Sequence, residues 1–182
     1  MNLPNILSIF RMCLVPVFIA IFFSDLEYAH SIAACVYALA GITDILDGII
    51  ARKFNLITKL GKVLDPLADK MMTITVFVCI TSIRLIPWWT IVLIFAKEVL
   101  LVIGGVKLYR DMAAIFHSNI LGKLATVFLV CGGCSLLLFE NWIPPVFKTL
   151  FAIVAIALSF TAFFSYLYQY CNYRKTHKKT SA

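Results

Sequence analysis

Continuous apolar runs separated by short polar breaks constrain this chain more than any other feature. Runs such as 72–80, 91–96 and 152–164 contain no charged residue. The hydrophobic fraction is 62%, against roughly 45–50% in soluble domains, and one bilayer span takes about 20 apolar residues. The sequence therefore predicts an all-α, polytopic integral membrane protein of one domain over residues 1–182. Six transmembrane helices are expected at about 12–24, 31–51, 64–83, 88–107, 124–139 and 146–170.

The charges alternate in sign between successive polar breaks. Most of the 16 Lys and Arg residues lie in every second break and in the basic tail 171–182, whereas Asp25, Glu27 and Glu140 lie in the others. Because Lys and Arg collect in cytoplasmic loops, both termini are expected in the cytoplasm, at the inner or plasma membrane if the source is bacterial. The net charge of +7 then follows from topology and membrane-lipid contact, and no nucleic-acid partner is expected.

Residues 1–11 have the pattern of an interfacial helix. Apolar residues recur at i, i+3, i+4 and i+7 from Leu3 to Phe10, which is typical of a helix lying in the headgroup plane. The polar remainder consists of Asn2, Asn5, Ser8 and Arg11. The alternative is that these residues simply begin the first span.

Four of the nine acidic residues lie close together around one predicted cytoplasmic loop. Asp44 and Asp47 are i and i+3 on the second span, and Asp65 and Asp69 are i and i+4 on the third, so each pair lies on one helical face. Four carboxylates in a low-dielectric setting repel one another unless cations hold them. Oxygen-only ligation favours Mg²⁺, Mn²⁺ or Ca²⁺ over zinc, and four carboxylates could serve two such ions.

The residues between these carboxylates suggest a phosphate ligand. Gly48, Ala51 and Gly61 leave the backbone bare where a planar group could lie. Arg52 adds a planar cation suited to phosphate oxygens. Together these residue types predict a pyrophosphate site, with space for a nucleotide, at the cytoplasmic membrane surface.

The pattern Asp44-x2-Asp47-Gly48-x2-Ala51-Arg52-x8-Gly61-x3-Asp65-x3-Asp69 resembles the signature of the CDP-alcohol phosphotransferase (phosphatidyltransferase) family at all of its fixed positions. The resemblance implies a six-helix homodimer that uses two divalent cations, Mg²⁺ or Mn²⁺. It also implies that the four aspartates are metal ligands and that Asp69 is the catalytic base. The remaining signature residues would contact the CDP-lipid: Gly48, Ala51, Arg52 and Gly61.

Within that family the chain is most similar to phosphatidylglycerophosphate synthases, over roughly residues 2–126. This similarity implies transfer of a phosphatidyl group from CDP-diacylglycerol to glycerol 3-phosphate. Lys107, Arg110 and Lys123 near the next cytoplasmic loop are candidate ligands for the acceptor phosphate. Gly105 stands where those synthases usually carry a second Arg after Arg-Glu, so the cardiolipin synthase branch, which uses phosphatidylglycerol, stays open. A small ion transporter is the alternative from a different class.

Two further features lie inside the apolar runs. The stretch Cys131-Gly-Gly-Cys134 has the spacing of a redox or zinc motif, but small residues in an apolar helix favour close helix packing. Lys97 and Glu98 lie in the middle of a predicted span, where charges are expected to face the bundle interior. Either a structural or a direct substrate role suits this pair.

Overall fold

In a computed structural model that describes residues 3–54, 61–97, 99–100 and 120–180, every regular element is an α-helix. No strand occurs in these ranges. The helices are α1 (Leu3–Phe22), α2 (Ala29–Lys53), α3 (Gly61–Ser82), α4 (89–97, with 99–100 also helical), α5 (Ile120–Leu138) and α6 (Pro145–Thr180). The predicted all-α class is confirmed for the part of the chain that is described.

The helices lie where the apolar runs predict them, with two differences at the chain ends. Helix α1 runs without a break from Leu3 to Phe22, so the predicted interfacial segment and first span form one helix. Helix α6 likewise continues through the predicted basic tail to Thr180. The positions of these two ends relative to a membrane surface remain predictions.

The polar face of the first turns of α1 is buried, which corrects the expected headgroup exposure. Ser8 and Arg11 are 0% and 1% exposed. By contrast Ile6, Ile9 and Phe10 lie exposed on the outside. An apolar exterior around buried polar residues is favourable when the solvent is lipid. In this helix the amphipathic pattern therefore marks a polar face turned towards the bundle.

Helices α1, α2 and α3 form one packed group, and α5 joins α2 to α6. The interface residues of α2 include Ala33, Ala34 and Ala40, which are almost fully buried. Small side chains let helix backbones approach closely, which is the usual way that membrane helices associate. Larger residues such as Phe18 and Phe77 fill the space beside them.

Glycines at the α5 interfaces confirm the packing role of the small-residue stretch. A methyl group on Gly132 would lie 1.8 Å from Cε2 of Phe151 on α6, and one on Gly133 would lie 2.9 Å from Cε1 of Tyr37 on α2. On the facing side of α2, a methyl group on Gly41 would lie 2.9 Å from Cγ1 of Val130. Helix α5 is therefore held between α2 and α6 at distances that only glycine permits.

Among the described residues, two helices are long and apolar enough to cross a membrane, Pro4–Phe22 and Ala29–Ala51. Shorter apolar helices cover Leu124–Leu138 and Pro145–Thr161. The first turns of α3 carry Asp65, Asp69 and Lys70, which shorten its uncharged length. Lys97 on α4 is buried, as predicted for a charge within a span, and Glu98 lies outside the described residues. The arrangement suggests a membrane protein, and six spans remain a prediction.

Replacing Gly132 by alanine should destabilise the bundle. The added methyl group would overlap the Phe151 ring, and overpacking of this kind costs about 1–3 kcal/mol. The measurement is the melting temperature of the purified protein in detergent. Gly48→Ala is the matched control, because no described atom outside the adjoining helix backbone lies within 4 Å of the added methyl group. Gly48→Ala should be neutral or slightly stabilising, because glycine within a helix is less stable than alanine by roughly 0.5–1 kcal/mol. An unchanged melting temperature for Gly132→Ala would contradict the close packing.

Candidate active site

Three of the four predicted aspartates line a single cavity of about 900 Å³. Asp44 and Asp47 lie on the second half of α2, and Asp65 lies in the second turn of α3. The i, i+3 spacing of the first pair places both carboxylates on one face of α2, as the sequence predicts. Asp47 is buried, whereas the Asp44 side chain is 36% exposed. The cavity therefore joins acidic side chains from two helices.

The cavity extends away from the carboxylates between α2 and α5. Along α2 its lining runs from Ala38 to Ile49, a length of about 16 Å at 1.5 Å per residue. The wall opposite is formed by residues of α5: Thr126, Val127, Val130, Cys131, Cys134 and Ser135. One end thus carries negative charge and the remainder is largely apolar. Such a space suits an amphiphile with a polar head and a hydrocarbon tail.

Arg11 of α1 bridges the two aspartates of α2. Its Nη1 donates a hydrogen bond of 2.6 Å to Oδ1 of Asp44, and its Nη2 donates to Oδ2 of Asp47. Arginine suits this geometry because its planar fork presents several fixed donors. Removing one partner of a buried ion pair lowers the stability of the fold by about 3–5 kcal/mol, because the other charge stays buried without compensation. The ion pairs thus tie the first half of α1 to the second half of α2.

Ser8 makes the corresponding contact to the third helix. Its hydroxyl lies within hydrogen-bonding distance of Oδ1 of Asp65 and of the carbonyl oxygen of Pro4, the latter at 3.0 Å. Ser8 and Arg11 are three residues apart and so share a face of α1. That single face therefore contacts carboxylates on both α2 and α3.

Asp69 lies one turn beyond Asp65 and is not among the residues that line the cavity. Its side chain is 26% exposed, and its Oδ2 lies 3.9 Å from Nζ of Lys70. A contact this long on partly exposed groups contributes little to stability. The sequence predicts that all four aspartates lie together. The structure brings Asp44, Asp47 and Asp65 to one cavity, whereas Asp69 lies on the same helix as Asp65 but does not line that cavity.

The donor atoms fit a hard divalent cation, although the side chains do not close around one. Within the described ranges, no group of three or more His, Cys, Asp or Glu residues is arranged to hold a metal ion. Mg²⁺ is usually bound by one or two carboxylates together with substrate phosphates and water, and seldom by an all-protein cage. Carboxylates that line an accessible cavity, such as Asp44, Asp47 and Asp65, match that mode of binding.

The predicted CDP-lipid contacts have different outcomes. Gly48 lines the cavity beside Asp47, and open space lies above its Cα atom. Ala51 lies one turn further along α2, and Gly61 is the buried first residue of α3. Arg52 belongs to α2, but its side chain lies outside the described part. Among the predicted contacts whose side chains are described, only Gly48 lines the cavity wall.

The predicted acceptor ligands lie largely beyond what is described. Lys107 and Arg110 fall in the range 101–119, which is outside the described residues. Lys123 is on the first turn of α5, and nothing is described of its side chain. Their role therefore stays a prediction from sequence.

Sequence reasoning missed Ser8 and Arg11 as members of the site. The signal was present, because Asn5, Ser8 and Arg11 recur at three-residue intervals on one helical face. A continuous apolar helix would bury such a face, and a buried arginine needs a carboxylate partner. A headgroup-facing surface produces the same periodicity, so the sequence alone does not distinguish it from a buried polar face.

The helical fold and the acidic end of the cavity suit a membrane-associated enzyme. Residues 1–166 match the CDP-alcohol phosphatidyltransferase family. The chain therefore belongs to this family, and the enzyme class replaces the transporter alternative. Members of the family generally depend on a divalent metal ion.

Three curated relatives of the chain share one name. The chain is 31% identical over 150 residues to a CDP-diacylglycerol–glycerol-3-phosphate 3-phosphatidyltransferase of Bacillus subtilis (strain 168), covering 75% of this chain and 77% of that protein. A protein of the same name from Rickettsia bellii (strain RML369-C) is 41% identical over 99 residues, 54% of this chain and 55% of the relative. Another, from Salmonella paratyphi A (strain ATCC 9150 / SARB42), is 36% identical over 88 residues, 48% of each. The chain thus spans about half the length of the latter two relatives.

Proposed function

We propose that this chain transfers a phosphatidyl group from CDP-diacylglycerol to glycerol 3-phosphate, giving phosphatidylglycerophosphate and CMP. The observation that carries the proposal is the single cavity in which Asp44, Asp47 and Asp65 stand at one end of an apolar groove. Family membership supplies the reaction class. The names of the relatives supply the donor and the acceptor.

The shape of the cavity supports a CDP-linked lipid as the donor. Its diphosphate would lie at the carboxylate end, beside Gly48, where no described side chain lies within 4 Å of an added Cβ atom. Its acyl chains would lie along the apolar walls formed by residues such as Ile42, Val127 and Val130. Because the surrounding bilayer is as apolar as these walls, the groove would serve to align the acyl chains, and the free energy of binding would come mainly from the polar head.

The aspartates would bind the divalent ions on which members of the family generally depend. Asp44, Asp47, Asp65 and Asp69 are the proposed ligands of two ions, Mg²⁺ or Mn²⁺. When bound, such ions neutralise the diphosphate and stabilise the charge on the leaving group. Water and diphosphate oxygens would complete the coordination, so an incomplete protein cage is compatible with the proposal.

We assign the proton transfer to Asp69. The acceptor hydroxyl oxygen would bond to the phosphorus that carries the diacylglycerol, the bond from that phosphorus to the CMP oxygen would break, and Asp69 would take the hydroxyl proton. No covalent nucleophile is needed for this displacement. Positioning of the two substrates would therefore supply most of the rate.

The acceptor phosphate would bind Lys107, Arg110 and Lys123. A small dianionic acceptor needs cations beside the metal site, and these three residues precede or begin α5, which borders the cavity through Thr126. Phosphatidylglycerol, the acceptor of the cardiolipin synthase branch, is the second candidate because of Gly105. A lipid acceptor would depend less on basic side chains.

The aspartate end of the bundle would face the cytoplasm, with both termini on that side. The distribution of Lys and Arg supports this orientation. Three strongly exposed aromatic residues, Tyr28, Trp88 and Trp142, lie in the α1–α2, α3–α4 and α5–α6 connections, as expected of residues at a membrane interface. A homodimer, which the family resemblance implies, belongs to the same proposal.

The reaction is tested by supplying radiolabelled CDP-diacylglycerol and Mg²⁺ to the purified protein with each acceptor separately. Glycerol 3-phosphate should give phosphatidylglycerophosphate and an equal amount of CMP, and exhaustive chelation should abolish both. Cardiolipin formed from phosphatidylglycerol, without phosphatidylglycerophosphate, would establish the second acceptor instead. CMP release that survives chelation would contradict the metal-dependent reaction.

Substitution of two aspartates should separate metal binding from proton transfer. Asp69→Asn should lower turnover by about 10²–10⁴-fold, the range typical of losing a general base, while retaining much of the metal affinity. Asp47→Asn should weaken metal binding itself and recover part of its activity at high Mg²⁺. Turnover is measured against Mg²⁺ concentration for both variants. If Asp69→Asn turns over near the unchanged rate, Asp69 is not the base.

Filling the apolar end of the cavity should weaken binding of long acyl chains. Cys131→Trp places a large side chain in the cavity wall, and a steric clash with the acyl chains of about 1–3 kcal/mol would raise the KM for CDP-diacylglycerol on the order of 10-fold. A short-chain CDP-dioctanoylglycerol should be affected less. Cys13→Trp on the exposed side of α1 is the matched control and should leave the KM unchanged. Equal KM values for Cys131→Trp and Cys13→Trp would contradict the acyl-chain assignment.

A further inference from the structure

The contacts from α1 reach the aspartates from the side away from the cavity. Asp44, Asp47 and Asp65 all line the cavity, whereas their partners Arg11 and Ser8 are not among its lining residues. Arg11 is only 1% exposed and Ser8 is fully buried. Neither side chain is therefore available to touch a substrate in the cavity. Their contacts can act only through the carboxylates.

The Arg11 contacts leave one oxygen of each α2 carboxylate free of the arginine. Nη1 binds Oδ1 of Asp44 and Nη2 binds Oδ2 of Asp47, so Oδ2 of Asp44 and Oδ1 of Asp47 take no part in the ion pairs. Because each carboxylate is held by one oxygen to a rigid planar group, its rotation is restricted. Ser8 restricts Asp65 in the same way through Oδ1.

We propose that Arg11, assisted by Ser8, is a positioning residue that orients Asp44, Asp47 and Asp65 as ligands for the divalent ions. The proposal rests on the proposed function, since it concerns the same site. It adds a third helix to that site, because α1 would set the carboxylate geometry that α2 and α3 present. Substituting a group that orients metal ligands in this way typically lowers metal affinity or activity by about 10–100-fold.

A role in orientation and a role as a counter-charge predict opposite effects on metal affinity. If Arg11 only balanced charge, Arg11→Gln would leave the carboxylates more negative, and a divalent cation would bind more tightly. If Arg11 orients the carboxylates, the same substitution weakens binding because the ligands are no longer held. Arg11→Lys keeps the charge but has a single nitrogen, which cannot reproduce the two-pronged contact. The direction of the change in affinity therefore separates the two roles.

The experiment measures Mn²⁺ binding to the purified full chain in detergent by the electron paramagnetic resonance signal of free Mn²⁺. The variants are Arg11→Gln, Arg11→Lys and Ser8→Ala, and Asp47→Asn serves as the variant that loses a ligand. Lys148→Gln is the matched control, because Lys148 binds the carbonyl oxygen of Glu140 in the α5–α6 connection. That connection contacts the start of α2 through His30, about 21 Å along α2 from Asp44.

We expect the dissociation constant for Mn²⁺ to rise about 10–100-fold in both Arg11 variants and about 10-fold in Ser8→Ala. Lys148→Gln should bind Mn²⁺ as the unchanged chain does. In the transfer assay, both Arg11 variants should need correspondingly more Mg²⁺ for half-maximal rate. The small Ser8→Ala change tests the proposal even if the Arg11 variants fail to fold.

Unchanged or tighter Mn²⁺ binding by Arg11→Gln would overturn the proposal, as would full recovery of affinity in Arg11→Lys. If the Arg11 variants do not fold, unchanged binding by Ser8→Ala overturns it. These failures leave the proposed function intact when Asp47→Asn still weakens binding and the unchanged chain still forms phosphatidylglycerophosphate. Absence of Mn²⁺ binding by the unchanged chain would overturn the metal assignment and the positioning role together.

Discussion

The burial of carboxylates inside an apolar bundle is the constraint on which the rest of the structure depends. Asp47 is 4% exposed, and its charge is matched by Arg11 of α1. Removing either partner of such a pair is far more costly than forming it is favourable, so the pair specifies how α1 must lie. Its polar face can be satisfied only against α2 and α3, and α1 packs against both. Ile6, Ile9 and Phe10 in the first turns of α1 are thereby left on the outside, where lipid is the favourable solvent.

Helix α2 serves two opposed requirements along its length. Its first half is packed closely, with buried alanines and with Tyr37 against Gly133 of α5. Its second half carries Asp44, Asp47 and Gly48 on a cavity wall. Gly41 stands between the two halves in contact with Val130. Close packing along the first half of α2 thus sets the distance between α2 and α5. At that distance the cavity stays open beside the aspartates on the second half of α2.

The predictable part of the structure followed from short-range periodicity. Apolar runs located the helices, and the i, i+3 spacing of Asp44 and Asp47 placed both on one face, because both features depend only on helix geometry. The paired glycines of α5 indicated close packing for a similar reason. The orientation of the first turns of α1 was not predictable in this way. A polar helical face has the same spacing whether it meets headgroups or buried aspartates, and only the partner helices distinguish the two.

By itself the sequence determined the helical class, the concentration of carboxylates around one loop and the family to which the chain belongs. These depend on composition and on residues close together along the chain. The tertiary structure alone decided that Arg11 and Ser8 hold those carboxylates, that α5 forms the second wall of the cavity, and that Asp69 lies off the cavity lining. Arg11 and Asp44 are 33 residues apart. Contacts at such a separation depend on how whole helices pack, which local spacing does not encode.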